Sequence, residues 1–294
     1  MTVLSAPYTL LRRDGETRVS HGDPPRQLAE LPLPGRHDAV AVAVAVERRG
    51  GMLRAEAARL IAERRFALAF QPVVRLADRR AVSHEALLRL RPLPGAPVQA
   101  TRNFVDLARG WDLGPALDEA VLDVALATWP RDAATPMSVN IHAASLRDPV
   151  CFARLLARLT GEGAMIGVEI SGVASLADLP AVAAMVPALN AAGVRTVLDD
   201  FDTSAASLAC VQAVRFDEVK LSGAVVGDAV AGARGQKLLR ALLALAETAG
   251  ARTVAKLIET EAQAMLLRGL GVGYGQGWLF GAPALIKPER RKVA

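Results

Sequence analysis

The chain has 294 residues, 52% hydrophobic and 22% charged, with a formal net charge of +5. That composition excludes a disordered chain, and the absence of a basic block interleaved with aromatics argues against nucleic-acid binding. Apolar runs are broken too often for a membrane span of roughly 20 residues. Charges from Arg12 onward spoil a signal-peptide layout. Cys151 and Cys210 lack ligand or disulfide-framework spacing and read as reduced thiols. A cytoplasmic location is the default expectation.

Residues 1–36 are rich in Pro, Gly, Arg and Asp, with weak periodicity. With the rest of 1–50 they read as an N-terminal arm, partly disordered or accessory, suited to dimerisation or partner docking. Ala39–Val46 alternates Val and Ala and fits either a strand or the opening of a helix. Gly50-Gly51 is a break, and Leu53–Arg64 has helical spacing. Beyond it, 51–294 reads as one domain.

Short apolar strands then alternate with Ala/Leu-rich helices. Strands are predicted over Ala67–Pro72, Ala81–Leu88, Met137–Ile141, Ile166–Ile170, Arg195–Leu198, Glu218–Leu221 and Thr253–Ile258, with a last one near Gly277–Phe280. Helices are predicted over Asn103–Arg109, Leu117–Thr128, Cys151–Thr160, Leu179–Ala192, Ala206–Ala213, Gln236–Ala249 and Glu261–Leu270. This count fits a TIM-type (β/α)8 barrel. A doubly wound sheet would need a Gly-rich phosphate loop after an early strand, and the sequence has none. The basic end Lys287–Lys292 reads as a solvated tail.

In such a barrel, chemistry sits at the C-terminal strand ends. There the strands carry, in order, Glu85, Asn140, Glu169, the pair Asp199-Asp200, Lys220, Lys256 with Glu259, and Gln276. The acids with Asn140 form an all-oxygen set, which suits Mg²⁺ or Mn²⁺ rather than zinc. Two such ions are a known arrangement for phosphodiester hydrolysis. Adjacent acids at 199 and 200 demand a compensating cation, either a metal or a basic side chain.

The segments Phe70-Gln71-Pro72-Val73-Val74, His84-Glu85-Ala86-Leu87-Leu88-Arg89, Ser138-Val139-Asn140-Ile141, Val168-Glu169-Ile170-Ser171, Asp199-Asp200-Phe201, Val219-Lys220-Leu221 and Gly275-Gln276-Gly277-Trp278-Leu279-Phe280 resemble those of EAL domains, the bacterial cyclic di-GMP phosphodiesterases. The resemblance covers about residues 60–285. It implies a barrel variant whose first strand runs antiparallel. It also implies Glu85, Asn140, Glu169, Asp199 and Asp200 as metal ligands for Mg or Mn. Lys220 matches the lysine near the attacking water, and Glu259 matches the second glutamate of a catalytic motif. Gln71, Leu88, Arg89 and Gln276 match nucleotide-contacting positions.

The departures are as informative. The family's Ala-Glu-Gly-Val-Glu-Thr reads Ala255-Lys256-Leu257-Ile258-Glu259-Thr260, so its general base is Lys256 here. Its Lys-Ile-Asp ends in Ser222, a loop-anchoring glutamate is Gly172, and the loop glycines after the acid pair are Asp202 and Ser204. Gly273 stands where an aspartate is usual. Losing a general base costs about 10²–10⁴-fold in rate. Lys256 is expected to pair with Asp200, Glu259 or both. The resulting reading is a degenerate regulatory domain that binds cyclic di-GMP without efficient hydrolysis and signals to a protein partner, with homodimerisation and a metal-free site both open. One alternative is a protein-interaction domain that binds no nucleotide, favoured if unpaired acids repel phosphate. The other is an active phosphodiesterase releasing the linear dinucleotide pGpG.

Overall fold

A computed structural model describes residues 9–13, 16–20 and 51–286, apart from 52, 91–98, 101, 163–164 and 174–175. The chain divides into two compact units, Met1–Ala55 and Glu56–Ala294. In the first, strand β1 (Thr9–Arg13) pairs antiparallel with β2 (Glu16–Ser20), Arg13 opposite Glu16. The two residues between them in sequence are Asp14-Gly15, a strong hairpin signal that the weak periodicity of the arm obscured. The Ala39–Val46 run and the basic end lie outside the described residues.

The second unit is a closed barrel. Its strands are β3 (Phe66–Arg75), β4 (Ala81–Leu90), β6 (Met137–His142), β7 (Ile166–Ser171), β8 (Arg195–Phe201), β9 (Glu218–Leu221), β10 (Arg252–Ala255) and β11 (Tyr274–Gln276). From β4 through β6, β7, β8, β9 and β10 to β11 every neighbour is parallel. β3 closes the ring by pairing antiparallel with both β4 and β11. Two short additions, β5 (Gln99–Ala100) and β12 (Ala284–Leu285), pair with β4 and β3. The fold is therefore an eight-stranded TIM-type barrel with an antiparallel first strand.

Helix α1 covers 53–62. The others are α2 (Arg102–Gly110), α3 (Gly114–Thr128), α4 (Ala143–Arg147), α5 (Pro149–Leu159), α6 (Leu179–Ala191), α7 (Ala205–Ala213), α8 (Gly223–Ala231), α9 (Ala233–Thr248) and α10 (Glu261–Gly269). Along β6, Met137, Val139 and Ile141 alternate with Ser138 and Asn140, so strand periodicity separates an apolar face from a polar one. The apolar set joins one core with Leu155 and Leu159 of α5 and Val182, Val186 and Leu189 of α6. Each such side chain contributes about 1.5–3 kcal/mol of burial. Helix starts are fixed by local chemistry: Asp148 accepts from Val150 N and Cys151 N ahead of Pro149, and Thr260 forms a capping box with Gln263.

Two predicted strands end elsewhere. The last is Tyr274–Gln276, and Gly277–Phe280 is a turn instead. A Cβ at Gly277 would lie 2.0 Å from the Ile258 carbonyl oxygen, so the chain crosses its neighbour there with only glycine fitting. β10 stops at Ala255, because Leu257 adopts a left-handed φ of 60° that no strand accommodates. Among the described residues, no helix is long and apolar enough to cross a membrane. Cys151 and Cys210 are buried free thiols.

Candidate ligand site at the barrel mouth

The polar lumen is built on Lys220 of β9, which is 1% exposed. Its ammonium lies 2.8 Å from Glu85 Oε2 and 2.6 Å from Glu169 Oε1, and it donates to Gln276 Oε1 at 3.2 Å. Glu85 also accepts from Asn140 Nδ2 at 2.7 Å and from Gln276 Nε2 at 2.7 Å. Gln276 Nε2 reaches Gln71 Oε1 at 3.2 Å, and Gln71 Nε2 donates to the Gly281 carbonyl at 3.1 Å. Ser138 donates its hydroxyl to Glu169 Oε1. Strand register explains the convergence: Gln71 lies opposite Glu85, Glu85 beside Ser138, and Asn140 beside Glu169.

The two glutamates are driven apart electrostatically. Burial works to raise Glu85, but the Lys220 charge and hydrogen bonds from Lys220, Asn140 and Gln276 hold it down at about 2. Burial and then the Glu85 charge push Glu169 up to about 8, against the opposing pull of Lys220. Glu169 Oε2 is buried without a hydrogen-bond partner, which a neutral carboxyl tolerates better than a charged one. Burial opposes the charge on Lys220, but Glu169, Glu85 and Asp199 raise its pKa all the same.

Above this layer Lys256 clamps the adjacent acids. Its Nζ lies 2.7 Å from Asp199 Oδ1 and 2.6 Å from Asp200 Oδ1. The lysine side chain is 19% exposed, Asp199 13% and Asp200 63%, so the clamp sits at the boundary of core and solvent. Burial lowers the Lys256 pKa, and the charge of Asp199 with the bonds to both aspartates more than reverses that.

Of the expected partners of Lys256, Asp200 is in place, and Asp199 joins it. Glu259 is exposed beyond the left-handed turn at Leu257, where its N–H donates to Gln263 Oε1 at the head of α10. Arg89 is half-buried on β4, its Nη1 donating to the Leu88 carbonyl at 2.8 Å. Burial lowers its pKa, and the Glu85 charge opposes that. Leu88 is half-buried beside it. Ser222 caps α8 by accepting from Val225 N at 3.3 Å. The loop after the acid pair is tied within itself: Asp202 N donates to Ser207 Oγ, Ser204 N to Asp202 Oδ1, and Ser204 caps α7. A Cβ at Gly172, φ 74°, would lie 1.9 Å from His142 Nε2, so the imidazole fills the space a side chain there would need. Ser138 and His142 were not singled out in the sequence, although both lie two residues from Asn140 on the same strand face.

As arranged, the donor set does not fit a pair of divalent ions. Lys220 spans Glu85 and Glu169, and Lys256 spans Asp199 and Asp200. Among the described residues no three His, Cys, Asp or Glu side chains converge as a metal-holding group.

The acid-and-lysine cluster lies at the C-terminal mouth of a closed α/β barrel, the end at which barrels of this class carry their chemistry. The EAL domain model matches residues 54–283, and the chain belongs to the EAL domain family. It is 32% identical over 229 residues to an uncharacterised protein of Mycobacterium tuberculosis, covering 73% of this chain and 74% of that one. It is 28% identical over 235 residues to a cyclic di-GMP phosphodiesterase of Pseudomonas aeruginosa, covering 78% of this chain and 40% of that one. Among solved structures, the PaMucR phosphodiesterase in complex with c-di-GMP superposes with TM-score 0.68 at 25% identity, over 79% of this chain and 98% of that one. The FimX EAL domain of P. aeruginosa bound to c-di-GMP also gives 0.68, at 21% identity, over 77% and 93%.

Proposed function

We propose that this domain binds cyclic di-GMP at the barrel mouth without hydrolysing it efficiently, and passes the bound state to a protein partner in the cytoplasm. The observation that carries this reading is the lysine pairing of every acid at the site. Unpaired acids would repel the ligand's phosphates and favour a nucleotide-free interaction domain. Here Lys220 spans Glu85 and Glu169, and Lys256 spans Asp199 and Asp200, with the Arg89 charge on the neighbouring stretch of β4. Burial and the Glu85 charge raise the Glu169 pKa, which lessens the negative charge that a phosphate meets there. Arg89 supplies a planar fork for two phosphate oxygens, and Gln71, Leu88 and Gln276 line the same end. The general-base position is held by Lys256, whose raised pKa keeps it from accepting a proton.

Titration calorimetry with cyclic di-GMP in EDTA tests the reading. Saturable heat is expected, and Arg89→Ala should weaken binding about tenfold or more, as the loss of a charge-assisted contact does. No heat with or without Mn²⁺, and no product, would leave the interaction domain alone standing. Product formed in Mn²⁺ at an ordinary enzymatic rate would support the active phosphodiesterase.

A further inference from the structure

We propose that Lys256 is a resident cation which takes the place of a divalent ion at Asp199-Asp200 and bars one from that pair. The inference deepens the reading above, and rests on it for the ligand that the site receives. Charge balance supports the exchange. The resemblance gives glutamate at this position, and a glutamate with one bound dication contributes −1 + 2 = +1. A lysine contributes +1 alone. The exchange keeps the local charge while removing both the ion and the carboxylate that would hold it.

Nζ is 2.7 Å from Asp199 Oδ1 and 2.6 Å from Asp200 Oδ1, so it bridges one oxygen of each acid as a shared ion would. An ammonium there repels a dication at close range and already satisfies the oxygens that the dication needs. The remaining acids offer no other home, since Lys220 spans Glu85 and Glu169.

Of the five described non-glycine residues with positive φ, Arg64, Arg79 and Asp112 lie outside the site. The other two are Asp200 at 54°, one of the clamped acids, and Leu257 at 60°, the residue after the clamping lysine. Aspartate tolerates this region but leucine does not, and such strain persists only where the surroundings fix it. Leu257 occupies the motif's glycine position and holds a left-handed turn directly after Lys256, whose side chain reaches the acid pair.

The test is calorimetric titration of Mn²⁺ alone into the metal-stripped full chain, without nucleotide. The unsubstituted chain should show no saturable heat. Lys256→Glu should gain a saturable site at least about tenfold tighter than anything in the parent, and Lys256→Gln, which removes the cation without adding a ligand, should fall between. Thermal melts by circular dichroism confirm that each variant is folded. Saturable Mn²⁺ binding by the unsubstituted chain overturns the proposal. So does a folded Lys256→Glu that gains none, because Lys256 would then not be what excludes the ion. The nucleotide titration in EDTA is a separate arm: its failure removes the ligand reading and leaves the Mn²⁺ result to decide the role of Lys256.

Discussion

Lys220 and Lys256 hold similar partners under different conditions. Lys220 is 1% exposed, between two carboxyls that are themselves buried. Lys220→Met would strand Glu85 and Glu169 without their cation, at a cost of about 3–5 kcal/mol in urea unfolding. Lys256→Met should cost clearly less, because Asp200 is 63% exposed and keeps its water. Equal losses would contradict the burial argument. Leu257→Gly should be neutral or stabilise by up to about 1 kcal/mol, since relief of the left-handed strain is partly offset by the greater freedom of unfolded glycine. At this scale much was legible. Asn140, Glu169 and Lys220 could be placed because each falls near the end of a short strand, and Glu85, in the middle of β4, because its motif marks it. Glu259 could not, because its distance from the site is set by one φ angle at Leu257, and no residue type announces a left-handed leucine.

Loops and caps carry the next level. The loop glycines read as lost stand as Asp202 and Ser204, which bond to each other and to Ser207 of α7, a compensation visible only once side chains are in place. Gly172 and His142 act as a complementary pair. Gly172→Ala should destabilise by about 2 kcal/mol or more, from φ strain and collision together. The cost should shrink in a His142→Ala background, and additive losses would show that the two do not interact. His142 N also donates to buried Asp118 at 2.9 Å. Burial pushes Asp118 up to about 6 against that bond and the Arg109 charge. Burial, with Arg109 and Arg147, pushes His142 down to about 4. A raised acid loses stabilisation as pH rises from 3.8 to about 6, and a depressed histidine loses it as pH falls from 6.5 to about 4. The slopes oppose each other between these limits. Relative to the parent chain, Asp118→Asn should lose Tm on acidification through that window and His142→Gln should gain it. Parallel shifts in thermal melts would refute the assignment.

At the scale of the molecule, the alternation of apolar strands with helices identified the barrel, and the motif resemblance supplied the antiparallel β3. Periodicity alone cannot give strand direction, because a strand reads the same either way. The hairpin at Thr9–Ser20 was missed although Asp14-Gly15 marks it. The core residues of the described chain run from Ile61 to Val272. We therefore expect removal of residues 1–50 to leave a cooperatively unfolding barrel, and broad, non-cooperative melting would contradict that. What the whole molecule does turns on whether the ligand survives its stay at the mouth. The most direct measurement is to incubate the chain with cyclic di-GMP and Mn²⁺, separate the protein, and identify the nucleotide it carries. The account predicts intact cyclic di-GMP on the protein and no build-up of linear product in solution. Linear pGpG accumulating over successive turnovers would contradict it.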